Sequence, residues 1–328
     1  MPEGRSRMSA PEIAATGTKK EIPVTAETGV APEYERLMRR ATLAAVAVAL
    51  VLIGLKGAVY WATGSIAMLG TLTDSLLDGA ASLLNLFAVR ASLAPADLEH
   101  RFGHGKAEAL AGLGQSIFIF GSAGYITFEA ISRLMNPEPV DYSGAGIVVV
   151  VIAIGLTLAL VAYQRHVVSQ TRSLAIEADS IHYRGDLLMN LSVIAALVLS
   201  GYLGLHWADP VFGILIAALI AWSAAKIVMN AFNQLMDREF SEDEREHIKD
   251  IVRQHSEVVN LHELRTRTSG IYSFIQFHLE LDGEMTLAEA HRISDEVEED
   301  VMAAFPGSEV IIHQDPAGSE KLTRFQRA

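Results

Sequence analysis

Between about residues 41 and 231 the chain is divided into six apolar stretches. Each is near the ~20 residues that a helix needs to cross a bilayer. They run at about 41–62, 66–92, 107–135, 144–166, 176–202 and 207–231. Backbone N–H and C=O groups find no water inside hydrocarbon, so spanning stretches of this kind are held to helices. The sequence therefore predicts an α-helical membrane protein with six transmembrane helices. Hydrophobic residues make up 50% of the 328 positions and charged residues 20%, a mixture that calls for a soluble part as well.

Basic residues orient the bundle. Arg39 and Arg40 precede the first span, Arg90, Arg101 and Lys106 flank the second connection, and Arg165 and Arg172 fill the fourth. The first and fifth connections have no Lys or Arg, and the third has only Arg133 nearby. Cytoplasmic loops are enriched in these residues, so both termini are expected in the cytoplasm, as an even number of spans also requires. The first ~33 residues carry charges, Pro and Thr without an apolar core, which reads as a disordered tail rather than a secretory signal. The expected division is a cytoplasmic tail at 1–35, a membrane domain at 36–234, a soluble domain at 235–316 and a C-terminal tail at 317–328.

After Met236 the pattern changes. Residues 241–256 read as an amphipathic helix with Ser241 as N-cap and Glu244 three residues on, a capping box. Residues 258–268 and 271–282 read as strands joined at Ser269-Gly270, with Ile275, Phe277, Leu279 and Leu281 alternating against polar neighbours. A helix at 286–304, ended by Pro306-Gly307, and a strand at 308–313 complete an α-β-β-α-β order. That order predicts a cytoplasmic α+β domain of ferredoxin-like type, with helices on one face of a sheet.

Two of the spans carry paired ionisable residues. Asp74 and Asp78 lie four apart in the second, and His182 and Asp186 lie four apart in the fifth. Helical geometry stacks each pair on one face. An ionised carboxylate at the bilayer centre costs on the order of 2.5–3.5 kcal/mol on the insertion scale, so three need compensation. Basic partners in these two spans are few, namely Arg90 and Arg184. A bound dication, protonation or a water-filled cavity would each relieve the cost. One nitrogen and three oxygens suit tetrahedral Zn²⁺, and Fe²⁺, Co²⁺ and Cd²⁺ can occupy the same set. Ca²⁺ and Mg²⁺ prefer more oxygens. Metal binding needs neutral imidazole and ionised carboxylates, so loading expels protons and protonation expels metal. That competition supplies metal/H⁺ antiport, with H⁺ as coupling ion. The chain has no Cys, which removes thiolate ligands, and its net charge of -13 lacks the basic footprint of a nucleic-acid partner.

With these residues the chain resembles the cation diffusion facilitator family, and within it the bacterial zinc and iron efflux transporters. Asp74 and Asp78 in GTLTDSLLDGAASLLNL match the family's second-span pair, and His182 and Asp186 in ADSIHYRGDLLMN match its fifth-span pair. The similarity runs over nearly all of the chain after residue ~36. It implies a second metal site in the loop between spans two and three, at Asp97, His100 and His104. It implies a binuclear zinc site in the cytoplasmic domain, at His262, His278, His291, His313 and Asp315. It also implies a homodimer joined through those domains, with Lys106 and Asp237 as a charged interlock between protomers, and a place in the bacterial inner membrane. His166 stands alone between spans four and five, where vesicular zinc transporters carry a His-rich tract. His182 argues against Mn²⁺, because manganese-selective branches have a carboxylate or amide there.

The function expected is export of divalent cations, Zn²⁺ first and also Cd²⁺ or Fe²⁺, by proton antiport. Fe²⁺ as the main substrate is the alternative within this class. A metal-dependent intramembrane enzyme is disfavoured because four protein ligands leave no open position for an activated water. A flux-free sensor would need only the soluble domain.

Overall fold

The computed structural model describes residues 32–64, 66–135, 144–203 and 207–318. The expected tails fall outside these residues for 1–31 and 319–328. Six long helices come first: α1 (Pro32–Thr63), α2 (Ile66–Ser92), α3 (Ala107–Met135), α4 (Gly144–Thr171), α5 (Leu174–Leu203) and α6 (Ala208–Leu235). Five of them, α1 to α4 and α6, are long and apolar enough to cross a membrane. The fifth in order, α5, is 30 residues long but carries Glu177, Asp179, Arg184 and Asp186. It packs against α4 and α6 and also reaches α2 and α3, so Asp179 and Asp186 have protein to face, while Arg184 is exposed.

Several helices outrun the apolar stretches that mark them. Residues 32–35, assigned above to a disordered tail, form the first turn of α1. Pro32 suits that turn because its fixed φ is pre-organised and its missing N–H would have had no partner there. A Glu35–Arg39 ion pair four residues apart supports it. The C-terminal end of α4 and the N-terminal end of α5 also extend, and meet at a corner where Arg172 adopts φ 52°. The first N–H groups of α5 have no intrahelical acceptor. One of them, from Leu174, donates to the buried Glu108 carboxylate of α3 at 3.1 Å.

Polar side chains then fix α5 among its neighbours. Tyr183, buried, shares a 2.8 Å hydrogen bond with Ser82 of α2. Asp179, fully buried, accepts from Gln115 of α3 at 3.2 Å and from Gln164 of α4 at 2.7 Å. Gly185 lets Ile220 of α6 approach so closely that a Cβ there would lie 2.7 Å from its Cδ1. These contacts flank the His182–Asp186 pair on both sides.

Helix α6 ends in a Schellman motif: Arg238 N–H donates to Asn233 C=O at 2.9 Å, and Asp237 takes φ 53°. The C-terminal domain follows as α7 (Glu242–Arg253), β1 (Asn260–Ser269), β2 (Tyr272–Leu281), α8 (Leu287–Ala304) and β3 (Ser308–Pro316). The capping box of Ser241 and Glu244 forms as the sequence predicts, and Thr286 with Glu289 forms a second at α8. The sheet order is β1-β2-β3, antiparallel then parallel. Ile248 and Val252 of α7, and Ile293, Val297 and Val301 of α8, pack with Ile275, Phe277, Leu279 and Leu281 on one face. Burying such a side chain contributes about 1.5–3 kcal/mol. The final strand runs to Pro316 rather than 313, because its parallel pairing with β2 continues to Leu281.

The loop between α2 and α3 docks on the β1–β2 hairpin. Phe102 meets Phe274 edge-on at 5.5 Å, and the Arg267 guanidinium lies 4.5 and 4.6 Å from the two ring centres. Gly105 sits against the Ser269 carbonyl with no room for a Cβ. Gly105→Ala is expected to cost about 1–3 kcal/mol through overpacking and to lift the hairpin from the loop. Hydrogen exchange at residues 269–272 measures this; faster exchange in the variant is the expected outcome.

Candidate metal centres

Among the described residues, three groups of ionisable side chains converge, each with donor atoms within 4.8 Å of one another: Asp78, His182 and Asp186; Asp97, His100 and His104; and His262, His278 and Asp315.

The first lies between α2 and α5. Nε2 of His182 is 2.8 Å from Asp78 Oδ1 and 3.9 Å from Asp186 Oδ2. His182 is only 8% exposed. The Asp186 Oδ2 atom is buried without a hydrogen-bond partner. A buried carboxylate oxygen left without a donor is costly, and a cation between the three side chains would satisfy it. Asp74, the fourth residue predicted here, lies one turn along α2 on an exposed position and outside this cluster. The face-stacking of Asp74 and Asp78 follows from their spacing, but it is Asp78 that meets His182 of α5.

The second group occupies the loop that docks on the hairpin. Asp97 accepts backbone hydrogen bonds from His100 at 2.6 Å and Glu99 at 2.9 Å. Its second role is toward the rings: His100 Nδ1 lies 3.3 Å from Oδ1 and His104 Nε2 lies 3.4 Å from Oδ2. The His100 backbone bond, aided by that of Glu99 and by the two imidazoles, holds the Asp97 carboxyl below its ordinary value against the opposing effect of burial. The carboxylate is thus kept ionised and aimed at the two imidazoles.

The third is built by strand register. His262, His278 and His313 pair directly across β1, β2 and β3, giving one row of imidazoles on the face opposite α7 and α8. Ring centres are 5.0 Å apart for the first pair and 4.6 Å for the second. Asp315, two residues beyond His313 and therefore on the same face, lies 2.7 Å from His278, 3.4 Å from His262 and 3.4 Å from His313. Burial pushes the Asp315 carboxyl up, but its hydrogen bond with His278 and the charges of His313, His278 and His262 outweigh this and hold it low. A bulge in β1 between His262 and Arg265 puts Glu263 at φ 49° and turns its side chain to within 3.7 Å of His278. His291 does not join the row. It stands on α8, across the sheet, with its side chain 72% exposed beside Asp295.

Lys106 and Asp237 meet within one chain at 3.0 Å, and Arg267 reaches the same carboxylate at 3.5 Å. Two polar residues near these centres escape sequence reasoning. Glu280 lies 3.1 Å from His262 Nδ1, and its alternation with Leu279 and Leu281 marks only the outward face. Lys56 of α1 donates to Ser75 of α2 at 2.7 Å and so stands beside the first cluster. Arg90 and Arg184 are the basic residues of the second and fifth spans, whereas this cation comes from the first. Its signal was available: Lys56 is the one charged residue between Arg40 and Asp74.

Residues 42–236 match the cation efflux transmembrane domain, and residues 240–317 match the cytoplasmic domain of cation efflux proteins. The chain is 49% identical over 295 residues to the cation-efflux pump FieF of Cronobacter sakazakii, covering 90% of this chain and 97% of that protein. It is 48% identical over 292 residues to FieF of Shewanella oneidensis, covering 89% and 98%. The solved structure of CzrB in its Zn form has 36% identity, covers 26% of this chain and 99% of that chain, and gives a TM-score of 0.24.

The low-lying Asp315 carboxyl has a pH consequence. Its ordinary value is 3.8 and its folded value is lower. The stability it adds is therefore present above about pH 4 and is lost as pH falls through the folded value. Asp315→Asn is expected to shallow the acid limb of unfolding below about pH 4, as measured by circular dichroism of metal-free protein.

Proposed function

The chain belongs to the cation efflux family, and on that premise we propose that it exports Zn²⁺ from the cytoplasm in exchange for protons. The observation that carries this reading is the cluster of Asp78, His182 and Asp186 inside the helical bundle, with a buried carboxylate oxygen left unpartnered. Imidazole with carboxylates is a Zn²⁺ donor set, which Fe²⁺ and Cd²⁺ share. Asp74 supplies the fourth ligand when α2 and α5 close on the ion. The ion leaves on the opposite side after the bundle changes its opening, and protons taken up there neutralise the emptied carboxylates. The protein sits in the bacterial inner membrane with both termini in the cytoplasm.

The other two clusters regulate rather than carry. In the cytoplasmic domain, His262, His278, His313 and Asp315 bind zinc on one sheet face, while His291 is exposed on the opposite layer. A side chain so placed meets the row of another subunit more readily than its own, so zinc there ties two copies into a homodimer. Asp97, His100 and His104 bind a further ion in the loop that docks on the same domain. Lys106 and Asp237, paired within the chain, lie at the same junction and hold the domain to the bundle.

Radiolabelled zinc uptake into inside-out vesicles under an imposed pH gradient tests the proposal, with Fe²⁺, Cd²⁺ and Mn²⁺ as competitors. Asp78→Ala is expected to abolish uptake. His278→Ala is expected to keep uptake and shift its dependence on metal concentration or the stability of the dimer. Uptake by Asp78→Ala at the parent rate, or uptake indifferent to the pH gradient, contradicts the assignment.

A further inference from the structure

A lone lysine in an apolar span needs a reason. Lys56 is the one charged residue between Arg40 and Asp74, within the 32 residues of α1. A charged ammonium placed there costs a few kcal/mol on the insertion scale, of the same order as each carboxylate. It does not turn to lipid or snorkel toward a membrane surface. Its Nζ donates to the Ser75 hydroxyl at 2.7 Å and to the Thr71 carbonyl at 3.1 Å, both on α2. Ser75 is buried and is the immediate neighbour of Asp74. An ammonium has three N–H donors and no acceptor, so two are committed to α2. Thr71, Ser75 and Asp78 follow at four- and three-residue intervals on α2, so the two acceptors of the ammonium lie on the helix face that carries Asp78. Both acceptors of the ammonium are neutral, so no ion pair consumes its charge locally.

We propose that Lys56 is a specificity-determining residue of the transport site: a tethered monocation that leaves room in the carboxylate cluster for the charge of one dication. Asp74, Asp78 and Asp186 bring three negative charges when ionised. One dication and one ammonium bring three positive charges, and His182 as a neutral ligand adds none. The charges of these three carboxylates, the ion and the ammonium then cancel, the arrangement of least cost for this group in a low-dielectric interior. Without Lys56, a dication leaves one negative charge uncompensated. The emptied cluster then attracts cations more strongly and releases them more slowly. Lys56 touches no ligand atom at hydrogen-bond distance among the described bonds, so it acts through charge and through its hold on α2 rather than as a ligand.

This inference rests on reading Asp74, Asp78, His182 and Asp186 as the transport site, and the test separates the two. Zinc transport by the full-length chain in proteoliposomes is measured for the parent, Asp78→Ala, Lys56→Gln, Lys56→Met and Lys56→Arg. Gln keeps a donor for Ser75 and removes the charge; Met removes both; Arg keeps the charge. Lys56→Gln is expected to lower the KM for Zn²⁺ roughly tenfold, the size of one charge interaction across several ångströms at a protein's effective dielectric. Its kcat is expected to fall by a similar factor, and Lys56→Arg is expected to restore both toward the parent. Should Lys56→Met fail to fold, Lys56→Gln still decides. Parent-like kinetics for Lys56→Gln, a raised KM, or an Arg variant as defective as Gln would overturn the role given to Lys56. If Asp78→Ala still transports, the site itself is wrong, whatever Lys56 does.

Discussion

Ionisable groups inside an apolar bundle have only one another, other protein dipoles and a cation to replace water. Much of the membrane domain follows from that constraint. Helix α5 carries most of these groups, and it is the helix whose polar side chains are engaged on several sides at once. Asp179 is held by amides from α3 and α4, Tyr183 by a hydroxyl from α2, and the first turn by the buried Glu108 of α3. These bonds orient α5 so that His182 meets Asp78 at 2.8 Å. Gly185 completes the arrangement by letting Ile220 of α6 close in beside His182 and Asp186. The cluster is thus a product of several buried hydrogen bonds, each of which would be expensive to leave unmade.

The soluble domain meets its own version of the problem with less constraint. Water reaches its outer sheet face, so a row of three imidazoles around Asp315 carries no membrane penalty. Register produces the row, and the core on the other face fixes the register. The loop from α2 to α3 ties the two parts together through Phe102, Arg267, Gly105 and the Lys106–Asp237 pair. His100 and His104, two of the candidate ligands in this loop, bracket Phe102 in sequence, so the same short segment carries both the candidate site and the residue that docks on the hairpin.

Local features were legible in the sequence. The six helices, both helix starts in the soluble domain and the alternation of β2 depend on residues close along the chain, and they appear as read. The four-residue spacing of Asp74–Asp78 and His182–Asp186 was equally legible. Features that need distant elements to meet were not. That His262, His278 and His313 form one row depends on an antiparallel and a parallel pairing and on a bulge at Glu263. That Asp74 stands apart from Asp78, His182 and Asp186 depends on where two helices cross. That Lys56 faces the acids depends on α1 lying beside α2, which hydropathy alone does not reveal. His291, which the family resemblance assigns to the same site, lies on α8 and away from the row within one chain, a placement that depends on how α8 packs on the sheet.

The central claim is that a divalent cation binds between α2 and α5. Crystals of the full chain grown with Zn²⁺ and measured on both sides of the zinc absorption edge test it most directly. The account predicts an anomalous peak about 2.0–2.2 Å from the donor atoms of Asp78, His182 and Asp186. A peak at the cytoplasmic histidine row with none between α2 and α5, under saturating zinc, would contradict it.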